Sequence, residues 1–175
     1  MNKTLGIATS HPEVYLRPLT IPDDIVLSEA RNGDLHPLRL NMPDVPDRAE
    51  LTWRDVLARN PAIAVMGVWG NGELAGEAYT IPTTRHPGWV EIGFQILRDY
   101  RRRGYAAAAA GALASMAHAV PDTEVVWAKA AETNIASRKV LQSAGFEHMG
   151  SVSGLAETFI FKRQVTQTGD SAFMW

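Results

Sequence analysis

One stretch of the sequence, residues 89–106, constrains the fold more than any other. Apolar side chains recur there at every second position: Val90, Ile92, Phe94 and Ile96. This alternation predicts a strand with one buried face. The intervening positions are too polar for a core: Trp89, Glu91, Gly93 and Gln95. A run of alanines from Ala106 to Ala110 follows and predicts a helix. The stretch is therefore expected to form a strand, a turn and a helix.

The turn between that strand and helix is unusually basic. Three arginines, Arg101 to Arg103, and Gly104 precede the helix, and no Asp or Glu lies in its first turn. A helix start has free N–H groups and a partial positive charge, so acidic residues are favoured there. The arrangement suits an anion such as a phosphate, which a glycine lets the backbone approach closely. A basic run alone is more often a solvated loop, but the combination of strand, turn, glycine and small-residue helix favours an anion site.

Two segments resemble motifs of the GNAT N-acetyltransferases. Residues 101–106, Arg-Arg-Arg-Gly-Tyr-Ala, resemble the family's pyrophosphate-binding signature, Gln/Arg-x-x-Gly-x-Gly/Ala. Residues 132–146 resemble the family's Asn-x-x-Ser helix followed by Gly-Phe. The resemblance extends over about residues 14–165 and is greatest for the RimJ/RimL-like branch. It implies an acetyl-CoA-dependent enzyme.

Composition places the chain among ordinary soluble globular proteins. Its 175 residues suit one domain, and 46% are hydrophobic. Since it has no cysteine, a disulfide framework, a thiolate metal site and a cysteine nucleophile are excluded. The beginning of the sequence lacks the apolar run of a signal peptide, and no stretch approaches the ~18 apolar residues of a membrane span. A cytoplasmic protein that does not associate with membranes is expected.

The order of predicted elements is β-α-α-β-β-β-α-β-α-β-β. Helices are expected after Thr20 and between a capping box at Asp47 and Glu50 and the proline at 61, with a loop over residues 34–46. A hairpin is expected around Gly70-Asn71-Gly72. The remaining elements are predicted at 14–19, 62–69, 73–81, 104–119, 124–130, 134–144, 146–153 and 157–165.

This order resembles that of the GNAT fold, which implies a single α/β domain. The sheet is expected to be mixed, mostly antiparallel and splayed beside the central strand, with helices on both faces. The domain is predicted to span residues 14–165, after a loosely ordered segment at 1–13 and before a C-terminal tail at 166–175.

The resemblance also implies which residues bind acetyl-CoA. The predicted contacts are Phe94, Gln95, Ile96, Arg101, Arg102, Arg103, Gly104, Tyr105, Ala106, Asn134, Ser137 and Arg138. Asn134 also has the sequence position of a helix N-cap, and both roles are compatible. For Arg138, a solvated surface position is the favoured interpretation, with a contact to the nucleotide phosphates as the alternative.

Glu91 and Ser137 are the candidate catalytic residues. Glu91 lies on the polar face of the central strand and is the candidate general base, acting directly or through water; a solvent-facing or ion-paired residue is nearly as well supported. Many GNAT enzymes have a tyrosine acid seven residues after the asparagine, where this chain has Leu141. Ser137, expected near the thioester sulfur, is the remaining substitute.

The acceptor implied by the resemblance is a primary amine, first of all the N-terminal α-amine of a protein or peptide. A small amine, such as an amino acid, a polyamine or an aminoglycoside, is the enzymatic alternative. Two further classes remain: an acyl-CoA-binding module with little catalysis, and a nucleic-acid contact at the arginine turn. The net charge of −2 argues against nucleic acid. The five histidines are dispersed, so no metal site is expected, and a homodimer is compatible with the sequence.

Overall fold

The computed structural model of the chain describes residues 6–20, 22–23, 26–27, 62–152 and 156–161, the last eight of these (151–152 and 156–161) by their backbone alone. The elements in these ranges are β1 (Ile7–Ala8), β2 (Val14–Pro18), β3 (Ala64–Gly70), β4 (Glu73–Pro82), β5 (Trp89–Ile96), a 3-10 helix (Arg98–Tyr100), α1 (Tyr105–Ala119), β6 (Val125–Ala131), α2 (Ile135–Ser143), β7 (Phe146–Val152) and β8 (Ala156–Phe161). No helix within these ranges is long and apolar enough to cross a membrane.

The described strands form one mixed sheet. Their order is β1-β2-β3-β4-β5-β6-β8-β7, so the last strand lies between β6 and β7. Every neighbouring pair is antiparallel except β5 and β6, which are parallel. The predicted α/β architecture with a mixed, mostly antiparallel sheet is confirmed.

The sheet opens beside its central strand. The register of β5 with β6 runs only from Trp89 opposite Val125 to Glu91 opposite Trp127. The register of β5 with β4 continues to Ile96 opposite Gly76. The second half of β5 therefore lies beyond its last pair with β6, and its edge faces a gap. The splay predicted beside the central strand is confirmed.

One face of the sheet packs against α1 and forms the core. The apolar stripe of β5 contributes Ile92 and Ile96, which are almost completely buried, with Val90 and Phe94 packed at the margin. The alanines of α1 let the helix approach the sheet closely, because they add little bulk between backbones. The buried members of α1 are Tyr105, Ala108, Ala109, Ala110, Leu113, Ala114 and Ala117.

Local signals in the sequence correspond to observed turns and caps. Asn71 and Gly72 have φ values of 53° and 85°, as a two-residue hairpin turn requires. Thr20 precedes the helical residues 22–23. The Asp23 carboxylate accepts hydrogen bonds from the backbone N–H and the hydroxyl of Thr20, at 2.9 and 2.6 Å. The loop predicted at 34–46, the helix after Asp47 and the tail at 166–175 lie outside the described residues.

Two expectations differ from the structure. Residues 6–13, expected to be loosely ordered, include β1, and the Thr9 hydroxyl forms hydrogen bonds with the carbonyl groups of His11 and Val14 at 3.1 and 2.9 Å. Tryptophan side chains are normally buried, so those at 69, 89 and 127 are expected in the core, but they are only half-buried. They alternate with core positions along their strands, so they lie on the opposite face of the sheet.

Candidate active site

The arginine turn presents free backbone N–H groups. Gly104 is the N-cap of α1 and has φ 82° and ψ −6°, a left-handed conformation that favours glycine. No side chain caps the helix, and no acidic residue lies in its first turn. Arg102 is also left-handed, with φ 61°, which is uncommon for a residue with a side chain. The turn therefore has the shape and charge of an anion site.

The three arginines of the turn have different surroundings. The Arg101 Nε donates a hydrogen bond of 2.8 Å to the carbonyl oxygen of Ile96, which ties the turn to the end of β5. The Arg103 guanidinium lies over the ring of Tyr100, 5.6 Å from its centroid. All three side chains are exposed. Arg102 and Arg103 are therefore accessible to a phosphate, whereas Arg101 also fastens the turn.

The open edge of β5 offers hydrogen-bonding groups to an extended ligand. Leu97 donates its N–H to the carbonyl oxygen of Ala75 at 2.9 Å. In an antiparallel pair these bonds alternate, so the odd-numbered residues of β5 bond to β4 and the even-numbered ones point toward β6. The N–H groups of Phe94 and Ile96 consequently face the gap, beyond the last pair with β6. An extended ligand that contains amide groups can form hydrogen bonds with this edge.

Two predicted contacts have side chains that face away from the turn. Tyr105 is 2% exposed, and its ring packs where a Cβ on Gly70 would otherwise lie. Its hydroxyl donates to Glu13 Oε2 at 3.4 Å. Only the backbone of Tyr105 can therefore serve an anion at the turn. Ala106 is half-buried against the core and can likewise contribute its N–H.

The start of α2 has the predicted cap. The Asn134 Oδ1 accepts a hydrogen bond from the N–H of Ser137 at 3.1 Å, so Asn134 is the N-cap. Arg138 donates through Nη1 to the carbonyl oxygen of Glu132 at 3.2 Å. Leu141 is 1% exposed and belongs to the core. The position at which many relatives have a tyrosine acid is thus filled by an apolar core side chain.

Glu91 lies at the point where β5 and β6 separate, and it is ion-paired. The Lys129 Nζ is 3.3 Å from Glu91 Oε1, and both side chains are mostly buried, at 24% and 21% exposure. The Lys129 ammonium also lies 5.1 Å from the ring centroid of Trp127. Burial raises the pKa of Glu91, and the attraction of Lys129 offsets this only in part. A carboxylate with a raised pKa is suited to accepting a proton.

Three polar residues on the same face were not predicted from the sequence: Glu77, Tyr79 and Lys129. Glu77 is directly opposite Gln95 and Tyr79 directly opposite Gly93, so these side chains share one face with Glu91. Burial, and then the carboxylates of Glu91 and Glu77, raise the pKa of Tyr79 well above that of an ordinary tyrosine. Glu77 and Tyr79 could have been identified from their alternation along β4, counted from the Asn71-Gly72 turn.

Gln95 contains a buried donor without a partner. Its Nε2 is buried and has no hydrogen-bond partner within the part of the chain that the structure describes. Such a group is costly unless a ligand or water satisfies it. Within the same ranges, no three His, Asp or Glu side chains cluster so that they could hold a metal ion.

The sequence of residues 13–147 matches the model of the acetyltransferase (GNAT) domain. The chain belongs to the GNAT family. The match covers both motif segments, the splayed strands and the arginine turn. Membership confirms the predicted enzyme class, an N-acetyltransferase, and acetyl-CoA as its cosubstrate.

Solved GNAT structures have the same fold at low sequence identity. Mycobacterium smegmatis RimJ in complex with CoA-disulfide is 20% identical, with a TM-score of 0.66 over 85% of this chain and 81% of that protein. The aminoglycoside acetyltransferase AAC(6')-Ib with ribostamycin and coenzyme A is 19% identical, with a TM-score of 0.71 over 91% and 99%. RimL, a ribosomal L7/L12 α-N-protein acetyltransferase, is 15% identical, with a TM-score of 0.66 over 89% and 97%. No curated protein matches the sequence significantly.

These neighbours include one enzyme named as a ribosomal-protein acetyltransferase and one named as an aminoglycoside acetyltransferase. At such identities the likeness concerns the fold. The GNAT family is therefore established, but these neighbours do not identify the acceptor.

Proposed function

We propose that this GNAT enzyme transfers the acetyl group of acetyl-CoA to the N-terminal α-amine of a protein or peptide. The observation that carries the proposal is the position of Glu91, a mostly buried carboxylate with a raised pKa where β5 and β6 separate. An α-amine has a pKa near ~8, against ~10.4 for a lysine side chain. It is therefore deprotonated more easily by a single partly neutralised carboxylate.

The turn and the open edge of β5 are the proposed binding surface for acetyl-CoA. Its pyrophosphate would lie against the N–H groups from Gly104 to Ala106, with Arg102 and Arg103 beside it. Its amide-containing arm would follow the edge of β5 past Ile96 and Phe94. Gln95, Asn134, Ser137 and Arg138 complete the proposed set. The Gln95 Nε2, which has no hydrogen-bond partner among the described residues, supports a ligand at this end of β5.

The reaction needs a neutral amine and a stabilised oxyanion. The amine nitrogen attacks the thioester carbonyl carbon, and the carbonyl electron pair moves to oxygen. Glu91 accepts the proton from the nitrogen, directly or through water. When the C–S bond breaks, the thiolate leaves and takes a proton from Ser137 or from solvent. The buried Leu141 has no proton to give, so the acid assistance is weaker than with a tyrosine.

An acceptor screen with two variants tests the proposal. Peptides with free N-termini, the same peptides with blocked N-termini and an internal lysine, and aminoglycosides would be incubated with acetyl-CoA and the wild-type protein. Mass spectrometry should show one added acetyl group on the free N-terminus. Glu91→Gln should lower kcat by about a hundredfold, and Ser137→Ala by less. Acetylation confined to the internal lysine or to the aminoglycoside would contradict the proposed acceptor.

A cationic small amine is the second candidate, because a specific observation favours it. Two carboxylates, Glu77 and Glu91, lie near the Tyr79 hydroxyl and act on its pKa, so the local potential is negative. Such a site attracts cationic amines. Lys129 neutralises part of this charge, which is why the α-amine is preferred. Rapid turnover of an aminoglycoside or polyamine in the same screen would reverse that preference, and tight binding without any turnover would favour an acyl-CoA-binding module.

A further inference from the structure

The ring and hydroxyl of Tyr79 lie over Gly93 of the central strand. The two residues are directly opposite each other in the β4–β5 register, so their side-chain positions lie on the same face. A Cβ added to Gly93 would overlap Cζ and Oη of Tyr79 and would lie 2.6 Å from Cε2. Since real Cβ atoms do not approach so closely, the ring occupies the space that any other residue at 93 would need. Because residue 93 is glycine, the Tyr79 hydroxyl can lie over the backbone of β5.

The Tyr79 hydroxyl lies beside the part of β5 that is not paired with β6. Gly93 lies two residues beyond Glu91, which is the last residue of β5 paired with β6. The next residue is Phe94, whose N–H points into the gap. The hydroxyl almost touches the Cβ position of residue 93, so its oxygen lies no more than about 6 Å from the Phe94 nitrogen. One oxygen atom placed between them, about 2.9 Å from each, can accept hydrogen bonds from both donors.

We propose that the Tyr79 hydroxyl and the Phe94 N–H together form the oxyanion site of the acetyl transfer, with Gly93 as the residue that admits the hydroxyl. This inference rests on the proposed function, because it requires a thioester carbonyl in the gap beside β5. The backbone N–H is a donor that any residue at 94 provides. The hydroxyl comes from a side chain, and Tyr79 is therefore a further catalytic residue.

The hydroxyl acts as a hydrogen-bond donor and keeps its proton. As the C–N bond forms, the carbonyl electron pair moves to oxygen, and this oxyanion accepts hydrogen bonds from Tyr79 and Phe94. The pair returns when the C–S bond breaks, so the site is unchanged after one turnover. The burial and neighbouring carboxylates that raise the pKa of Tyr79 keep it protonated at every working pH. A fixed donor in a water-poor site stabilises the transition state more than the ground state.

The test compares Tyr79→Phe with the wild type in transfer to the best amine and in hydrolysis of acetyl-CoA without an amine. In both reactions the oxygen of the same thioester carbonyl becomes an oxyanion, although the tetrahedral intermediates differ in the nucleophile that has added. Loss of one donor should lower both rates by about a hundredfold. The KM and the calorimetric Kd for acetyl-CoA should stay within about threefold of wild type, because the bond is strongest in the transition state. Tyr15→Phe, a half-buried tyrosine of the same sheet, is the matched control and should keep the wild-type rates.

Gly93→Ala displaces the hydroxyl without removing it. Its loss of kcat should match that of Tyr79→Phe, and the double variant should be no worse than either single one. Rates of Tyr79→Phe within about threefold of wild type, or equal losses in the Tyr15→Phe control, would overturn the inference. Tyr79-dependent hydrolysis in a protein that acetylates no amine would support the oxyanion site and contradict the proposed function. Absence of both reactions in the wild type would overturn both.

Discussion

A side chain at position 104 should strain the arginine turn without meeting an obstacle. The φ of Gly104 is +82°, and a Cβ built there would lie 3.4 Å from His11 Cδ2, an ordinary van der Waals contact. The cost of Gly104→Ala is therefore conformational, about 1–2 kcal/mol for an L-residue in the left-handed region. For a domain of this size the melting temperature should fall by about 2–8 °C, as differential scanning calorimetry can measure.

Gly104→Glu adds a negative charge to the same strain. The charge would stand before α1, where no acid now lies in the first turn. At about 6 Å from a phosphate and an effective dielectric of about 20, the repulsion is about 3 kcal/mol per unit charge before screening by salt. Half of that value corresponds to about a tenfold loss of affinity. Titration calorimetry should therefore show acetyl-CoA bound at least about tenfold more weakly by Gly104→Glu than by Gly104→Ala.

A glycine inside α1 supplies the control. A Cβ on Gly111 would lie 3.7 Å from the carbonyl oxygen of Ala144, which is ordinary contact. Gly111→Ala should stabilise the protein by about 0.5–1 kcal/mol, because alanine loses less entropy in a helix. If Gly104→Ala is as stable as the wild type, position 104 is not strained by a side chain. If Gly104→Glu and Gly104→Ala bind acetyl-CoA equally well, no phosphate lies near this turn.

Three further predictions concern the site and its supports. Lys129→Met removes the cation that lowers the pKa of Glu91, so the acidic limb of kcat against pH should move to higher pH; a shift to lower pH would be inconsistent with a carboxylate base. Gly70→Ala should cost about 1–3 kcal/mol in urea unfolding because its Cβ would overlap the Tyr105 ring, whereas Tyr105→Phe, which keeps the ring, should cost less than about 1 kcal/mol. Asn134→Ala should cost about 1 kcal/mol through the lost cap, and an unchanged unfolding midpoint would count against that role.

Local patterns in the sequence were sufficient for much of the fold. The alternation in β5 identified the buried face through Ile92 and Ile96, since a strand's side-chain period is fixed at two. The spacing of Asn134 and Ser137 predicted a cap that the structure contains, because an N-cap depends only on residues within one turn.

Contacts between distant strands were not predictable in the same way. Lys129 meets Glu91 only because β6 returns parallel to β5 after α1, and a one-residue change of register would turn its side chain to the other face. The direction of Tyr105 depends on the space left by Gly70, 35 positions earlier in the chain. The position of Tyr79 depends in the same way on Gly93.

Calorimetric titration of the wild-type protein and of Arg103→Ala with acetyl-CoA tests whether the arginine turn binds the cosubstrate. A dissociation constant in the micromolar range is expected for the wild type. Binding should be weaker by about tenfold for the variant, because one charge-assisted contact to phosphate is lost. Absence of binding at millimolar acetyl-CoA, or equal affinity of the two proteins, would contradict the assignment of the arginine turn to the cosubstrate.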